Sequence, residues 1–344
     1  MLLGFAWMEL FVESAQASAN RLCAQMGFTP VGCFEDCNTF SLAIRNGGAL
    51  LVVSEALGAT GPVQRYLDGH PQGIADVAFW TEAFPGGPGA LPGRLPATGQ
   101  IVGPAGITHT FAPPQPGDLP PGFLPLPGAA LRRELAGIDH VVLNLGTEAF
   151  EPAIHWYRQV LGLEASRYFE ISTPHSALKS WVLTDSAHRV RLPLNAPLTA
   201  NSQVSEFLEA NGGPGVQHIA LRTTNIAHTV DHLRTLGVEF LDAPATYFER
   251  LGDRVDLAGL DMETLRRLHI LVDQDESEGR ILQIFTRPLF AEPTLFFEFI
   301  ERQGTALGFG EGNFQSLFEA IEREQQSRGT LEAERKPAFV QDAL

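Results

Sequence analysis

The sequence predicts an α+β protein built from tandem β-α-β-β-β modules that curl into two open β-barrel domains. Three observations carry this: an internal repeat, single helical segments set among short alternating strand-like runs, and a Pro/Gly-rich break near the middle. The repeat shows in "GIADVAFWTE" at 73–82 against "GVQHIALRTT" at 215–224, and in "GFAWMELFVE" at 4–13 against "GIDHVVLNLG" at 137–146. "VQRYLDGHPQGIADVAF" at 63–79 also tracks "VSEFLEANGGPGVQHIAL" at 204–221 with a one-residue gap.

Taken in order, residues 4–57 read as one module, and a strand at 74–80 opens a second. There the expected helix is replaced by "FPGGPGALPGRLPATG", which cannot sustain a helix because proline lacks the N–H and glycine costs backbone entropy. The stretch 83–136 is the predicted joint. The expected domains are a degenerate one over 1–130 including this linker, a chemistry-bearing one over 131–330, and a flexible tail over 331–344.

The later half divides again. Residues 138–145 alternate as a strand, 148–162 have helical spacing ended by Gly162, and strand-like runs follow near 166–172, 178–185 and 188–194. A second module has a strand at 216–223, a helix at 225–236 ended by Gly237, and the runs "RILQIFT" (280–286) and "TLFFEFIER" (294–302). Residues 313–327 are helical in pattern, with Phe314, Leu317, Phe318 and Ile321 on one face.

The composition bounds the function. With 344 residues, 44% hydrophobic and 19% charged, the chain can bury two cores. No run approaches the roughly 18–20 apolar residues that span a bilayer, and residues 1–20 lack a signal-peptide pattern, so a cytoplasmic protein is expected. A net charge of −16 argues against nucleic acid or an acidic membrane as partner. Cys23, Cys33 and Cys37 are too few for a disulfide framework and are expected to be reduced.

The chemistry is concentrated in the later half. Residues i and i+2 of a strand share a face, so His140 lies with Ile138 and Val142, His218 with Val216 and Ala220, and Glu298 with Phe296 and Ile300. A carboxylate among apolar neighbours needs a compensating charge, and a metal ion held also by two neutral imidazoles supplies one. Two histidines and one carboxylate with open positions form the triad typical of non-haem Fe(II) oxygenases. The earlier half is an internal control, since Trp7 and Asp76 stand opposite His140 and His218. His228 and His232 sit at i, i+4 with Thr229 where a zinc protease has Glu, which reads as an exposed helix face. His70, His109, His155, His175, His188 and His269 have no partner pattern and are assigned no role.

The blocks "IDHVVLN", "LPLNAP", "SQVSEFLEANGGPGVQHIAL", "ILVDQDESEGRILQIFTRP", "PTLFFEFIERQG" and "GFGEGNFQSLFEAIEREQ" closely resemble the 4-hydroxyphenylpyruvate dioxygenase family of the vicinal-oxygen-chelate superfamily, strongly from about 137 to 330 and weakly before. The resemblance implies a vicinal-oxygen-chelate (glyoxalase-like) fold and one Fe(II) per chain held by His140, His218 and Glu298. It implies polar substrate contacts at Ser180, Asn195, Gln203 and Gln283, and aromatic or C-terminal contacts at Phe285, Phe296, Phe309, Asn313 and Phe314. The activity implied is conversion of 4-hydroxyphenylpyruvate and O2 to homogentisate and CO2, a step of tyrosine and phenylalanine catabolism, by oxidative decarboxylation, ring hydroxylation and side-chain migration. The partners expected are that 2-oxo acid and O2, in a homo-oligomer. Two other outcomes stay open: 4-hydroxymandelate synthesis from the same substrate and metal, against which the aromatic Phe314 argues, and a ligand-binding protein without catalysis, against which the retained triad argues.

Overall fold

The computed structural model describes residues 1–82, 99–114, 117–127, 132–274 and 279–330. The first half runs β1 (Leu2–Phe11), α1 (Ala15–Met26), β2 (Thr29–Glu35), β3 (Thr39–Asn46), β4 (Ala49–Ala56), α2 (Pro62–Leu67), β5 (Gly73–Thr81), β6 (Gly99–Val102), β7 (Thr108–Ala112) and β8 (Leu124–Pro125). The second runs β9 (Leu135–Asn144), α3 (Thr147–Leu161), β10 (Glu164–Ser172), β11 (Ala177–Thr184), β12 (Arg191–Pro197), α4 (Gln203–Ala210), β13 (Gly215–Thr223), α5 (Ile226–Thr235), α6 (Ala245–Glu249), α7 (Met262–Leu268), β14 (Leu271–Gln274), β15 (Arg280–Phe285), β16 (Phe296–Gln303) and α8 (Glu311–Arg328).

Each half forms one eight-stranded sheet, in the orders β6-β7-β5-β1-β4-β3-β2-β8 and β10-β11-β12-β9-β13-β16-β15-β14. Reading the first backwards from β2 superposes β1 on β9, β5 on β13 and β7 on β16. The two pairings at the heart of each sheet repeat as well: β1 lies antiparallel to β5 and β5 parallel to β7, as β9 does to β13 and β13 to β16. The duplication read from sequence is therefore a duplication of topology.

Local chemistry sets the element ends. Ser14 caps α1 by accepting from the Ala17 N–H, and Gly27 closes it in the left-handed region at φ 68°. Gly162 ends α3 in the same way. The strand expected at 188–194 begins only at Arg191, because Asp185 Oδ1 accepts the Arg189 and Val190 N–H groups (2.6 and 2.8 Å) and folds 185–190 into a turn. The stretch 83–136 is less purely a joint than its composition suggests, since β6, β7 and β8 lie in it and complete the first sheet. The helix-breaking run itself lies outside the described residues except for its last glycine, Gly99, which opens β6.

The halves meet through backbone and buried side chains. Gly47 and Gly48 N–H groups donate to Arg132 and Leu135 carbonyls (both 2.9 Å), and a Cβ on Gly47 would stand 2.0 Å from the Leu135 oxygen. His109 on β7 is fully buried there: its Nδ1 lies 3.2 Å from the Val77 carbonyl and its Nε2 3.0 Å from the Tyr157 hydroxyl of α3. Burial pushes its pKa down to about 4, against a smaller upward pull from the Val77 carbonyl. The concave face of the first sheet is filled by its own side chains, among them Trp7, Leu50 and Val52, with Trp80, Leu119 and Phe123 packed on them. No helix among the described residues is long and apolar enough to cross a membrane.

Candidate metal centre and its cavity

Three adjacent strands bring His140 (β9), His218 (β13) and Glu298 (β16) together. In register, Ala220 of the middle strand faces His140 on one side and Glu298 on the other, and its methyl leaves the two larger side chains room to converge. His218 enters from two residues earlier on the same strand. His140 Nε2 lies 3.1 Å and His218 Nε2 3.4 Å from Glu298 Oε2. One potential ligand atom from each residue lies within 4.8 Å of the others, and all three residues are buried.

This donor set fits a metal ion. Two ligand atoms each about 2.1 Å from an ion and at right angles are about 3 Å apart, the spacing found between the carboxylate and each imidazole. The outer ring nitrogens are engaged elsewhere: His140 Nδ1 lies 3.0 Å from Asp139 Oδ1, and His218 Nδ1 lies 3.1 Å from Gln217 Oε1. A metal-binding histidine ordinarily donates its other N–H to such an acceptor, which fixes the tautomer.

The electrostatics agree. Burial is the largest influence on Glu298 and would raise it, yet the two imidazoles hold it down at about 2. His140 is raised, because Glu298 and Asp139 together outweigh the downward push of burial. His218 is lowered by burial despite its bond to Glu298. Asp139 is buried, but Arg302 and His140 hold it well below the usual carboxylate range.

A cavity of about 620 Å³ opens from this group. Of the residues expected to contact substrate, Ser180, Asn195, Gln203, Gln283, Phe285, Phe309 and Phe314 line it. Phe296 does not; it stacks on the His218 ring at 4.9 Å and backs that side chain. Asn313 is also absent from the wall. Its amide donates to Gln283 Oε1 (2.9 Å), its oxygen accepts from Tyr247 and Arg254 (2.7 and 3.1 Å), and Gln283 in turn donates to Glu298 Oε1 (2.9 Å). Gln283 is thereby a brace between Glu298 and the first turn of α8. Phe314, Leu317 and Phe318 of α8 roof the cavity, and Phe314 meets Phe169 edge-on at 5.2 Å.

Sequence reading missed Gln217 and Asp139. Alternation places both on the face opposite their histidines, but the register of β9 with β13 slips between Val216 and His218 and again between Ala220 and Leu221. Each slip is a bulge that brings the residue before a histidine to the same side. An odd polar residue directly before each candidate histidine was the available signal.

Known proteins resemble this chain closely. Residues 137–255 match the Glyoxalase/Bleomycin resistance protein/Dioxygenase superfamily. The 4-hydroxyphenylpyruvate dioxygenase of Dictyostelium discoideum is 35% identical over 371 residues, covering 95% of this chain and 100% of that protein. The enzyme of the same name from Danio rerio is 34% identical over 378 residues, covering 96% and 92%. The chain belongs to the 4-hydroxyphenylpyruvate dioxygenase family. Among solved structures, a triple mutant of 4-hydroxymandelate synthase from Streptomyces coelicolor superposes with a TM-score of 0.85 at 29% identity, covering 94% of this chain and all of that one. Membership in this dioxygenase family and the vicinal-oxygen-chelate architecture account together for two similar sheets with, among the described residues, one buried His-His-Glu group.

Proposed function

We propose that this protein is an Fe(II)-dependent dioxygenase that converts 4-hydroxyphenylpyruvate and O2 to homogentisate and CO2, with one iron per chain held by His140, His218 and Glu298. The observation that carries the reading is the polarity of the cavity. Among the described residues no lysine or arginine lines it, so an anionic 2-oxo acid is neutralised at the His-His-Glu end, by a cation held there. The remaining polar lining is uncharged: Ser180, Asn195, Gln203, Gln217 and Gln283. Between them stand Phe285, Phe309 and Phe314, apolar surface suited to an aromatic ring.

The residues have separable tasks. Fe(II), when bound, supplies the chelation of the 2-oxo acid and the activation of O2, which the side chains of the chain cannot do. Gln203 Oε1 is buried and has no hydrogen-bond partner among the described residues, so it is the acceptor for a phenolic O–H. Asn195, which donates to Asn144 Oδ1 at 3.2 Å, is held by that bond at the cavity wall. Phe309 and Phe314 orient the ring, and α8 excludes water that would quench a reactive centre.

The similarity to a 4-hydroxymandelate synthase keeps a second product in view, formed from the same substrate and metal by benzylic rather than ring hydroxylation. The large ring of Phe314 over the cavity favours the homogentisate outcome, since it restricts how the substrate ring turns. The test is anaerobic loading with Fe(II), then 4-hydroxyphenylpyruvate and air, with the aromatic product identified by chromatography and mass. Homogentisate is expected. 4-Hydroxymandelate would move the protein to the synthase reaction, and no oxygen uptake despite bound iron would mean the substrate is wrong.

A further inference from the structure

The two ligand histidines are oriented by different means. His218 leans on a neutral amide, Gln217. His140 leans on a carboxylate, and that carboxylate is held in turn: Arg302 Nε donates to Asp139 Oδ2 at 2.8 Å and Nη2 to Oδ1 at 2.7 Å, a two-pronged pair in which Asp139 is buried and Arg302 partly so. Arg191 Nη1 stands 3.8 Å from the same carboxylate. An ionised carboxylate only accepts hydrogen bonds, so the His140 proton sits on Nδ1 and the Nε2 lone pair points at the metal position.

Arg302 also reaches the other way. Its Nη1 donates to the Gly308 carbonyl at 2.6 Å, and its guanidinium lies 5.9 Å from the centre of the Phe309 ring. Phe309 stands edge-on to His140 at 5.5 Å and lines the cavity. One side chain thus touches both the group that aims a ligand and the loop that leads into α8.

The earlier half supplies a comparison within the same chain. Its strands keep the register slips, between Phe5 and Met8 and between Glu9 and Leu10. At the positions of Asp139 and Gln217 it has Ala6 and Ala75. The bulge has survived there, whereas ligand and orienting partner have both gone. A pair kept only to stabilise the sheet would have no reason to be lost along with the ligand, and a buried ion pair is in any case a poor source of stability.

We propose that Asp139 and Arg302 form a positioning pair that aims His140 at the metal and ties that aim to the loop 304–310 at the root of the closing helix. The inference rests on the metal centre proposed above but not on its substrate. The test is an anaerobic Co(II) titration followed by optical absorption, with melting of the metal-free protein measured in parallel. In the double variant Asp139→Leu/Arg302→Met, which removes the acceptor for His140 Nδ1 and both charges together, Co(II) affinity falls 10–100-fold and the absorption bands change, while the protein still melts cooperatively. Arg302→Lys keeps a charge opposite Asp139 but loses the fork, so Co(II) affinity stays within about threefold while hydrogen exchange of 304–310 rises. Unchanged affinity and bands in the folded double variant would overturn the aiming role, and unchanged exchange in Arg302→Lys would overturn the tie to the loop. Failure of the wild-type protein to bind any Co(II) or Fe(II) would instead sink the metal-centre reading itself.

Discussion

Replacing His109 with glutamine should flatten the acid side of the stability profile. The imidazole is wholly buried between β7 and α3, and its pKa falls from 6.5 to about 4. The unfolded chain therefore binds a proton that the folded one refuses between these values, so stability declines as pH drops below about 6.5 and levels off near 4. The full span is about 2.5 pKa steps of 1.36 kcal/mol each, or about 3 kcal/mol, and about 2 kcal/mol of it is already lost on going from pH 7 to pH 5. Glutamine keeps an amide able to meet the Val77 carbonyl or the Tyr157 hydroxyl but takes up no proton. Urea unfolding of both proteins at pH 7 and pH 5 measures the difference directly. The variant is expected to be less stable at pH 7 through lost packing, yet to lose about 2 kcal/mol less than the wild type on acidification. Equal losses in the two proteins would refute the reasoning, whatever their absolute stabilities.

Other consequences concern the site. His218→Ala removes one of the three proposed ligands, so metal content measured by elemental analysis is expected to fall from one per chain to under about a tenth, and oxygen uptake roughly 10³-fold or more. Gly310→Ala places a methyl 1.8 Å from Gln283 Oε1 at a backbone φ of 75°. Breaking the Glu298–Gln283–Asn313 brace in this way should lower kcat at least about tenfold, beyond the 1–2 kcal/mol cost of a left-handed alanine seen in melting. Glu322 of α8 is buried and accepts from the Thr173 and Ser176 hydroxyls, both at 2.6 Å. Glu322→Ala takes the acceptor from the buried Ser176 hydroxyl at about 1–3 kcal/mol, while Thr173 keeps its bonds to the backbone of 175–176, and hydrogen exchange across 311–328 should rise while the sheets stay protected.

How much of this was legible in the sequence varies with the range of the interaction involved. His140, His218 and Glu298 could be read because each is out of place on its own strand face, a property of three or four neighbouring residues. Asp139 and Gln217 could not, because a bulge overrides alternation and is visible only in the pairing of two strands. Phe296 and Asn313 were placed at the substrate by resemblance, whereas the structure puts one behind His218 and the other inside a brace. The brace joins residues from α6, β15 and α8 with Arg254, and no local pattern brings these together. β6 and β7, of four and five residues, were lost within a Gly/Pro-rich stretch because a short strand owes its formation to the neighbour it pairs with. Likewise α4 has a clear capping Ser202 and was seen as a repeated block without being assigned as a helix.

The pairing also completes the comparison between halves, and yields one more prediction. β5 faces β7 with Asp76 opposite Thr108, as β13 faces β16 with His218 opposite Phe296, so two residues on Thr110 occupies the place of Glu298. The counterparts of the triad are thus Trp7, Asp76 and Thr110, and Asp76 already accepts from the Thr110 N–H (2.9 Å) and hydroxyl. Grafting only the ligands, as Trp7→His/Asp76→His/Thr110→Glu, should leave metal content at one per chain. Ala6 and Ala75 offer the new imidazoles no acceptor, and the space a substrate would need is taken by Trp80, Leu119 and Phe123. A second equivalent of tightly bound metal in that variant would show that three ligands suffice on this scaffold, and that the orienting residues and the open cup are dispensable for holding the ion.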